Sequence, residues 1–283
     1  RGGRVTASDV QAYASGAGSG ATGAPSAGAA TSARRAPASM PAPMPTPVAV
    51  DANGTSETIP FRGVRRKIAQ ALHHSVSTAV HFTVVDEADV TALDRKRREY
   101  AGVLGQKLSF LPFVMTAVCR ALRSHPALNA IVDDANEMIH VKGVINLGCA
   151  VDTDHGLMVP VIPNADRLGL AQLADAVREV ASASRDRTIP RERLMGGTFT
   201  ISNVGSYGGR FATPIINYPE VAILAAGRVY EQVLTRDGAF YAGKVLPLSL
   251  SCDHRVVDGA EGARFLNTVV GLLEHPSTLL GIG

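Results

Sequence analysis

Cysteine, excess charge and long apolar runs are all scarce in this 283-residue sequence, and each scarcity argues against something. The three cysteines, Cys119, Cys149 and Cys252, are odd in number and widely spaced, with no CxxC pair. That weighs against a disulfide framework or a cysteine zinc site and suggests a reducing, cytoplasmic setting. No apolar run reaches the roughly 18 residues that a membrane span needs, so no membrane is expected as a partner. Nothing resembles a signal peptide, and the opening Arg1 makes the chain read as a fragment with upstream sequence missing. A net charge of +3 gives little reason to expect nucleic acid. The basic runs "RRK" at 65–67 and "RKRRE" at 95–99 read as solvated helix faces, with an anionic ligand as the alternative. His73, His74 and His81 have no carboxylate or cysteine at a metal-ligand spacing, so no metal is expected. His155 in "DTDHGL" reads as an exposed turn residue.

What is present is a composition of 46% hydrophobic and 19% charged residues, which suits one large globular domain with or without a smaller piece. Residues 15–55 are built mostly from Ala, Gly, Ser, Pro and Thr and cannot bury enough apolar surface to offset their ordering entropy, so they are expected to form a linker. Its Pro-rich stretch, 37–47, should be the stiffer part. Ahead of it, residues 1–14 offer Thr6 or Ser8 as the cap of a short helix ending near Ala14, too little to fold alone.

The remainder, 56–283, is rich in pattern. Residues 62–78 look helical, with Val64, Ile68, Ala71 and Leu72 on one face. A strand through Val85 leads to a helix capped by Asp89 or Thr91. "SFLPFVMTAVCRALRSHP" reads as a buried helix with Ser109 as cap, Pro112 in its first turn and Pro126 as its stop. Strands are expected at 129–132, 145–151, 157–162, 198–202, 221–229 and 245–252. Leu170, Leu173, Ala174, Val177 and Val180 mark an amphipathic helix, and another follows Asp258. The layout is mixed α/β, one sheet covered by helices.

In "LPLSLSCDH" the period is two, and His254 continues the face of Leu246, Leu248, Leu250 and Cys252. A polar imidazole there is costly unless it is hydrogen-bonded or used. Standing alone, His254 reads as a core histidine or as a base, and Asp258 as a helix N-cap. Cys252, two residues away, is about 7 Å off on a strand and so too far for direct proton transfer; it reads as apolar filler.

"DHRVVDGAEGARF" resembles the His-x-x-x-Asp-Gly signature of the dihydrolipoamide acyltransferases, core components of 2-oxo acid dehydrogenase complexes. "PFRGVRRKIAQAL", "KLSFLPFVMTAVCRAL", "NLGCAVDTDHGLMVPVI" and "GGTFTISNVGSYGGRFATPIINYPEVAILAAGRV" follow in that family's order, and "RGGRVTASDVQAYA" looks like the end of its peripheral subunit-binding domain. The resemblance implies a chloramphenicol-acetyltransferase-like two-layer sandwich. It implies a homotrimer that assembles into a cubic 24-mer or dodecahedral 60-mer. The decarboxylase and dihydrolipoamide dehydrogenase would bind through the subunit-binding domain, and lipoate would ride on a lipoyl domain absent from this sequence. The implied reaction moves an acyl group, branched-chain in preference to acetyl, from dihydrolipoamide to coenzyme A. Two other readings remain: a non-catalytic core-like binding subunit, and a free-standing acetyltransferase for a small alcohol.

Carried over residue by residue, the resemblance makes His254 the general base, Ser202 the oxyanion donor and Asp258 an orienting residue. His254 and Ser202 would come from neighbouring subunits, and they stand 52 residues apart as acyltransferases of this type lead one to expect. The coenzyme A contacts map to Arg97, with Arg95 or Arg98 as substitutes, and to Ser109, Asp152, Ser202, Asn203, Ser206 and Gly227. One polar family position falls on Ala181, where the contact is expected to be lost.

Overall fold

The computed structural model describes residues 50–154 and 156–281. The short helix expected before Ala14, the linker up to residue 49 and the His155 turn lie outside the described residues. The chain divides into two units between Thr58 and Ile59. In the first, Asp51 Oδ1 accepts hydrogen bonds from the Asn53 and Thr55 amides, both at 2.8 Å, and closes a turn.

The second unit opens with helix α1 (Gly63–Thr78), followed by strand β1 (His81–Asp89) and helices α2 (Thr91–Leu104) and α3 (Leu111–Ser124). Val90, and neither Asp89 nor Thr91, is the N-cap of α2, although Asp89, one residue earlier, accepts from the Thr91 amide at 3.0 Å. Gly105 ends it in the left-handed region at φ 62°, where a side chain would be strained. Helix α3 buries most of its residues from Leu111 to Leu122, with Thr116 half-buried and Arg120 exposed, as its largely apolar sequence requires. Its N-cap is Phe110, so Ser109 stands one residue too early to cap it and makes no such hydrogen bond.

Strands β2 (Ala130–Asp133) and β3 (Met138–Val141) form a separate hairpin. The main sheet then takes β4 (Leu147–Ala150), β5 (Val161–Ile162), β6 (Phe199–Asn203), β7 (Ala222–Ala226), β8 (Tyr230–Arg236) and β9 (Ala239–Asp253), with helix α4 (Leu170–Arg185) between β5 and β6. Helices α5 (Gly259–Glu274) and α6 (Pro276–Leu280) close the described chain. The order is β1-β9-β7-β6-β4-β5, with β8 pairing the first half of β9. β4, β6 and β7 are parallel; β9 runs antiparallel to β7 and β1.

Leu246, Leu248, Leu250 and Cys252 join Phe199, Ile201, Phe265 and the buried face of α3 in one core, so the face read from the alternation of β9 is the helix-covered one. The opposite face carries Thr83, Thr200, Ser249 and Ser251. There Thr83 and Ser251 share a hydrogen bond of 2.8 Å, and Ser249 accepts from the Ala212 amide at 3.2 Å. Helix α1 is largely exposed, Val64 and Leu72 included; only Ser75 is buried, its hydroxyl donating to Ile216 O at 2.6 Å.

Candidate active site

The parallel strands β4, β6 and β7 all end at one edge of the sheet, and there the chain opens a cavity of about 320 Å³. Arg97, Ser109, Asn203, Ser206 and Gly227 line it, which brings together five of the expected coenzyme A contacts. A second cavity of about 520 Å³ shares Arg97 and Ser109 and adds Arg98, Lys107 and Arg178. The two form one groove with a basic outer half.

Close backbone approach builds the inner half. A Cβ on Gly227 would lie 2.0 Å from Arg210 O, and one on Gly205 would lie 2.4 Å from Gly227 O. Only glycine fits at either position. The Gly227 amide donates to Pro247 O at 2.8 Å, and Arg228 N donates to Gly209 O at 2.7 Å, which pins the 205–209 turn against β9.

The basic half is organised by a buried acid that sequence reasoning passed over. Asp94 accepts from Arg97 Nε and Nη2 (3.0 and 2.6 Å), from Arg98 Nη2 (2.8 Å) and from Lys244 Nζ (2.7 Å). Burial by itself would raise this carboxyl, but the hydrogen bonds from Lys244 and Arg97 outweigh it and hold Asp94 at about 2. Arg97 also donates to Leu108 O at 2.7 Å, so its guanidinium lines the groove with several donors already engaged. The run 95–99 is therefore only partly the solvated face expected of it. Two of the expected coenzyme A contacts line neither cavity: Asp152, exposed on the connection that follows β4, and Ser202, half-buried at the end of β6. Ala181 is half-buried on α4.

His254 stands at the other edge. Its amide donates to Val80 O at 2.8 Å, and its ring packs against Phe82, with centroids 4.7 Å apart and planes tilted by 55°. The residue is exposed, and its ring nitrogens have no hydrogen-bond partner among the described residues, so the core-histidine reading fails. Asp258 occupies the N-cap position of α5 with extended backbone but makes no side-chain capping hydrogen bond, which leaves its exposed carboxylate uncommitted. Cys252 is fully buried, and burial pushes its thiol up to about 12, consistent with filler and not with a nucleophile.

The register fixes how far apart the expected base and donor lie in one chain. Ser202 is level with Ala225, and Ala225 with Ser249. His254 lies five residues farther along β9, so the separation is roughly 17 Å along the strands and roughly 10 Å across them. They also use opposite faces: Ser202 shares the face of Thr200, and His254 the helix-covered face with Phe82. No proton or charge can be shared between them within one chain.

A family model described as 2-oxoacid dehydrogenases acyltransferase (catalytic domain) matches residues 53–281. The chain belongs to that family. It is similar to the dihydrolipoyllysine-residue acetyltransferase component of the pyruvate dehydrogenase complex of Staphylococcus aureus, at 43% identity over 286 aligned positions covering 98% of this chain. It spans 64% of that relative's length. Among solved structures it is similar to Azotobacter vinelandii dihydrolipoamide acetyltransferase, with a TM-score of 0.77 and 37% identity over 84% of this chain and all of that one. That work examined a serine, a histidine and an asparagine in the catalytic mechanism; the serine precedes the histidine by 52 positions and the asparagine follows it by four. The cubic core of the pyruvate dehydrogenase multienzyme complex matches equally, with a TM-score of 0.77 and 36% identity over 84% of this chain and all of that one. The mixed sheet covered by helices is thus this family's acyltransferase architecture, as expected.

Proposed function

We propose that this chain transfers an acetyl group from S-acetyl-dihydrolipoamide to coenzyme A as the core of a pyruvate dehydrogenase complex. Acetyl replaces the branched-chain group expected from the sequence, because the relatives above are named for acetyl transfer in the pyruvate complex. The single observation that carries the mechanism is the division of the site: at one end of the strands a groove lined by Asn203, the chain neighbour of Ser202, with Ser202 itself on the face away from the helices, and at the other end an uncommitted imidazole. A neighbouring copy would complete each site, with the His254 edge of one chain facing the groove of the next, as closed rotational symmetry allows.

In that arrangement His254 takes the proton from the coenzyme A thiol, whose ordinary pKa of about 8.5 leaves it a poor nucleophile at neutral pH. The thiolate attacks the thioester carbonyl carbon, and the oxyanion of the tetrahedral intermediate accepts a hydrogen bond from Ser202 Oγ. Collapse breaks the bond to the dihydrolipoamide sulfur, which recovers the proton from His254. Ser202, His254 and Asp258 repeat the 52- and four-residue spacings of the A. vinelandii enzyme. Because that enzyme has an asparagine at the third spacing, the position works without an ionisable proton. That supports Asp258 as an orienting residue.

The outer, basic half of the groove, with Arg98, Lys107 and Arg178, suits the phosphates of coenzyme A. The trimers assemble into a cube, as in the solved core that this chain resembles. Lipoate arrives on a lipoyl domain, and the decarboxylase and dihydrolipoamide dehydrogenase attach through the subunit-binding domain whose end is residues 1–14. The three free, buried cysteines suit a reducing cytoplasm.

Mixing His254→Ala chains with Ser202→Ala chains and reassembling them tests the division directly. Random reassembly should restore about a quarter of the wild-type sites if base and donor come from different chains, since one interface in four then pairs two intact residues. No recovery would sink the shared site. Rates with acetyl- and isobutyryl-dihydrolipoamide, measured side by side, test the acyl group; faster transfer of isobutyryl would overturn acetyl.

A further inference from the structure

We propose that Asp253, Arg255 and Asp134 form a positioning clamp that holds His254 in its working orientation. The inference rests on the reading of His254 as the general base. The two residues flanking His254 are tied together beneath it. Asp253, only 1% exposed, accepts from Arg255 Nε at 3.1 Å on one oxygen, and from Nε and Nη2 at 3.0 and 2.7 Å on the other. The first oxygen also accepts from the Arg255 and Val80 amides, both at 3.1 Å. Val80 thus meets the turn twice, donating to Asp253 and accepting from the His254 amide. The Asp253 carbonyl in turn accepts from Val256 N and Val257 N, at 3.0 and 2.9 Å, which closes the turn on its far side.

A buried carboxylate is expensive, and the Asp253 position, on the polar face with Ser249 and Ser251, would be better filled by an uncharged residue if only folding mattered. The second arm of the arginine shows what the charge adds. Arg255 Nη1 donates to Asp134 Oδ1 at 2.9 Å, and Tyr218 hydroxyl donates to the same carboxylate. Asp134 follows β2, so the arginine links the β2–β3 hairpin to the turn that carries His254. The imidazole makes no hydrogen bond of its own among the described residues, so its direction is set by backbone held from below and by the Phe82 ring. Loosening the clamp should move the ring without touching the groove, which lies at the far edge of the sheet.

Arg255→Lys and Asp134→Ala test this in the assembled enzyme. Lysine keeps a positive charge for Asp253 but cannot span both carboxylates; Asp134 is partly exposed, so its removal should leave folding intact. Each variant should lower kcat by about tenfold or more, since small misplacements of a reacting group are costly, while KM for coenzyme A and the melting temperature stay at wild-type values. The double variant should be little worse than the worse single one, because both cut the same link. Arg255→Gln, which leaves Asp253 without a counter-charge, should lose melting temperature as well. The clamp is overturned if both variants match wild type in kcat while His254→Ala is inactive. If His254→Ala itself keeps its activity, the general-base reading has failed and the clamp falls with it.

Discussion

Two histidines at one edge of the sheet show what separates structure from chemistry here. His81 begins β1, opposite Asp253 in the register, and its ring is fully engaged: Nε2 accepts from the Ile216 amide at 3.0 Å and Nδ1 donates to Ala79 O at 3.1 Å. His254, one residue beyond Asp253, has both ring nitrogens unengaged among the described residues. The first is the backbone-satisfied histidine that the alternation of β9 suggested for His254. An imidazole that satisfies backbone on both sides has no lone pair left for a thiol proton; one held by its neighbours does.

Swapping each ring for alanine should separate the two roles, with the largest effect at His254. His254→Ala should lose about 10²- to 10⁴-fold in kcat with an unchanged melting temperature. His81→Ala should do the reverse, leaving the Ile216 amide unpaired at a cost of about 1–3 kcal/mol in denaturant titrations while kcat stays within a few-fold. Equal kcat losses in both would erase the distinction.

The groove edge should break differently. Gly227→Ala must push the Arg210 carbonyl aside, so we expect a loss of about 1–3 kcal/mol together with a raised KM for coenzyme A. A raised KM without destabilisation would mean that the backbone there yields more easily than the 2.0 Å approach implies.

At Glu220 the expected effect is on the pH dependence of stability and not on the rate; its carboxyl accepts from Thr200 Oγ1 at 2.6 Å and Asn217 Nδ2 at 2.9 Å. Burial pushes its carboxyl up to about 7, although those two hydrogen bonds pull the other way. The unfolded chain gives up this proton near 4.5, before the folded chain does, so Glu220 favours the fold at low pH. That contribution is lost progressively as pH rises from about 4.5 to about 7 and is absent above it. Glu220→Gln can still accept from Asn217 Nδ2 with its oxygen while its NH2 donates to Thr200 Oγ1, and it should flatten the stability–pH curve in that window by about one proton. An unchanged slope would place the carboxyl's titration elsewhere.

Much of the layout was legible because most elements bury one face. The alternation in β9 named its helix-covered side, and the largely apolar run of α3 named a buried helix. β3 and β8 were missed because they are largely exposed on both faces and so carry no period of two. Ser109 misled as a cap because helix ends are set to within a residue by packing, here by Phe110. Asp94 and Asp253 went unnoticed because their near partners Arg97, Arg98 and Arg255 look like ordinary local ion pairs, and only tertiary packing buries the two acids and adds Lys244 and Val80.

By itself, the sequence determined the buried face of β9, the family and the candidate residues of the site, because periodicity and motif spacing are local properties of the chain. Only the tertiary structure decided that Ser202 and His254 lie at opposite edges and on opposite faces of the sheet. Strand order and direction are written in hydrogen bonds between residues tens of positions apart, and no local pattern records them.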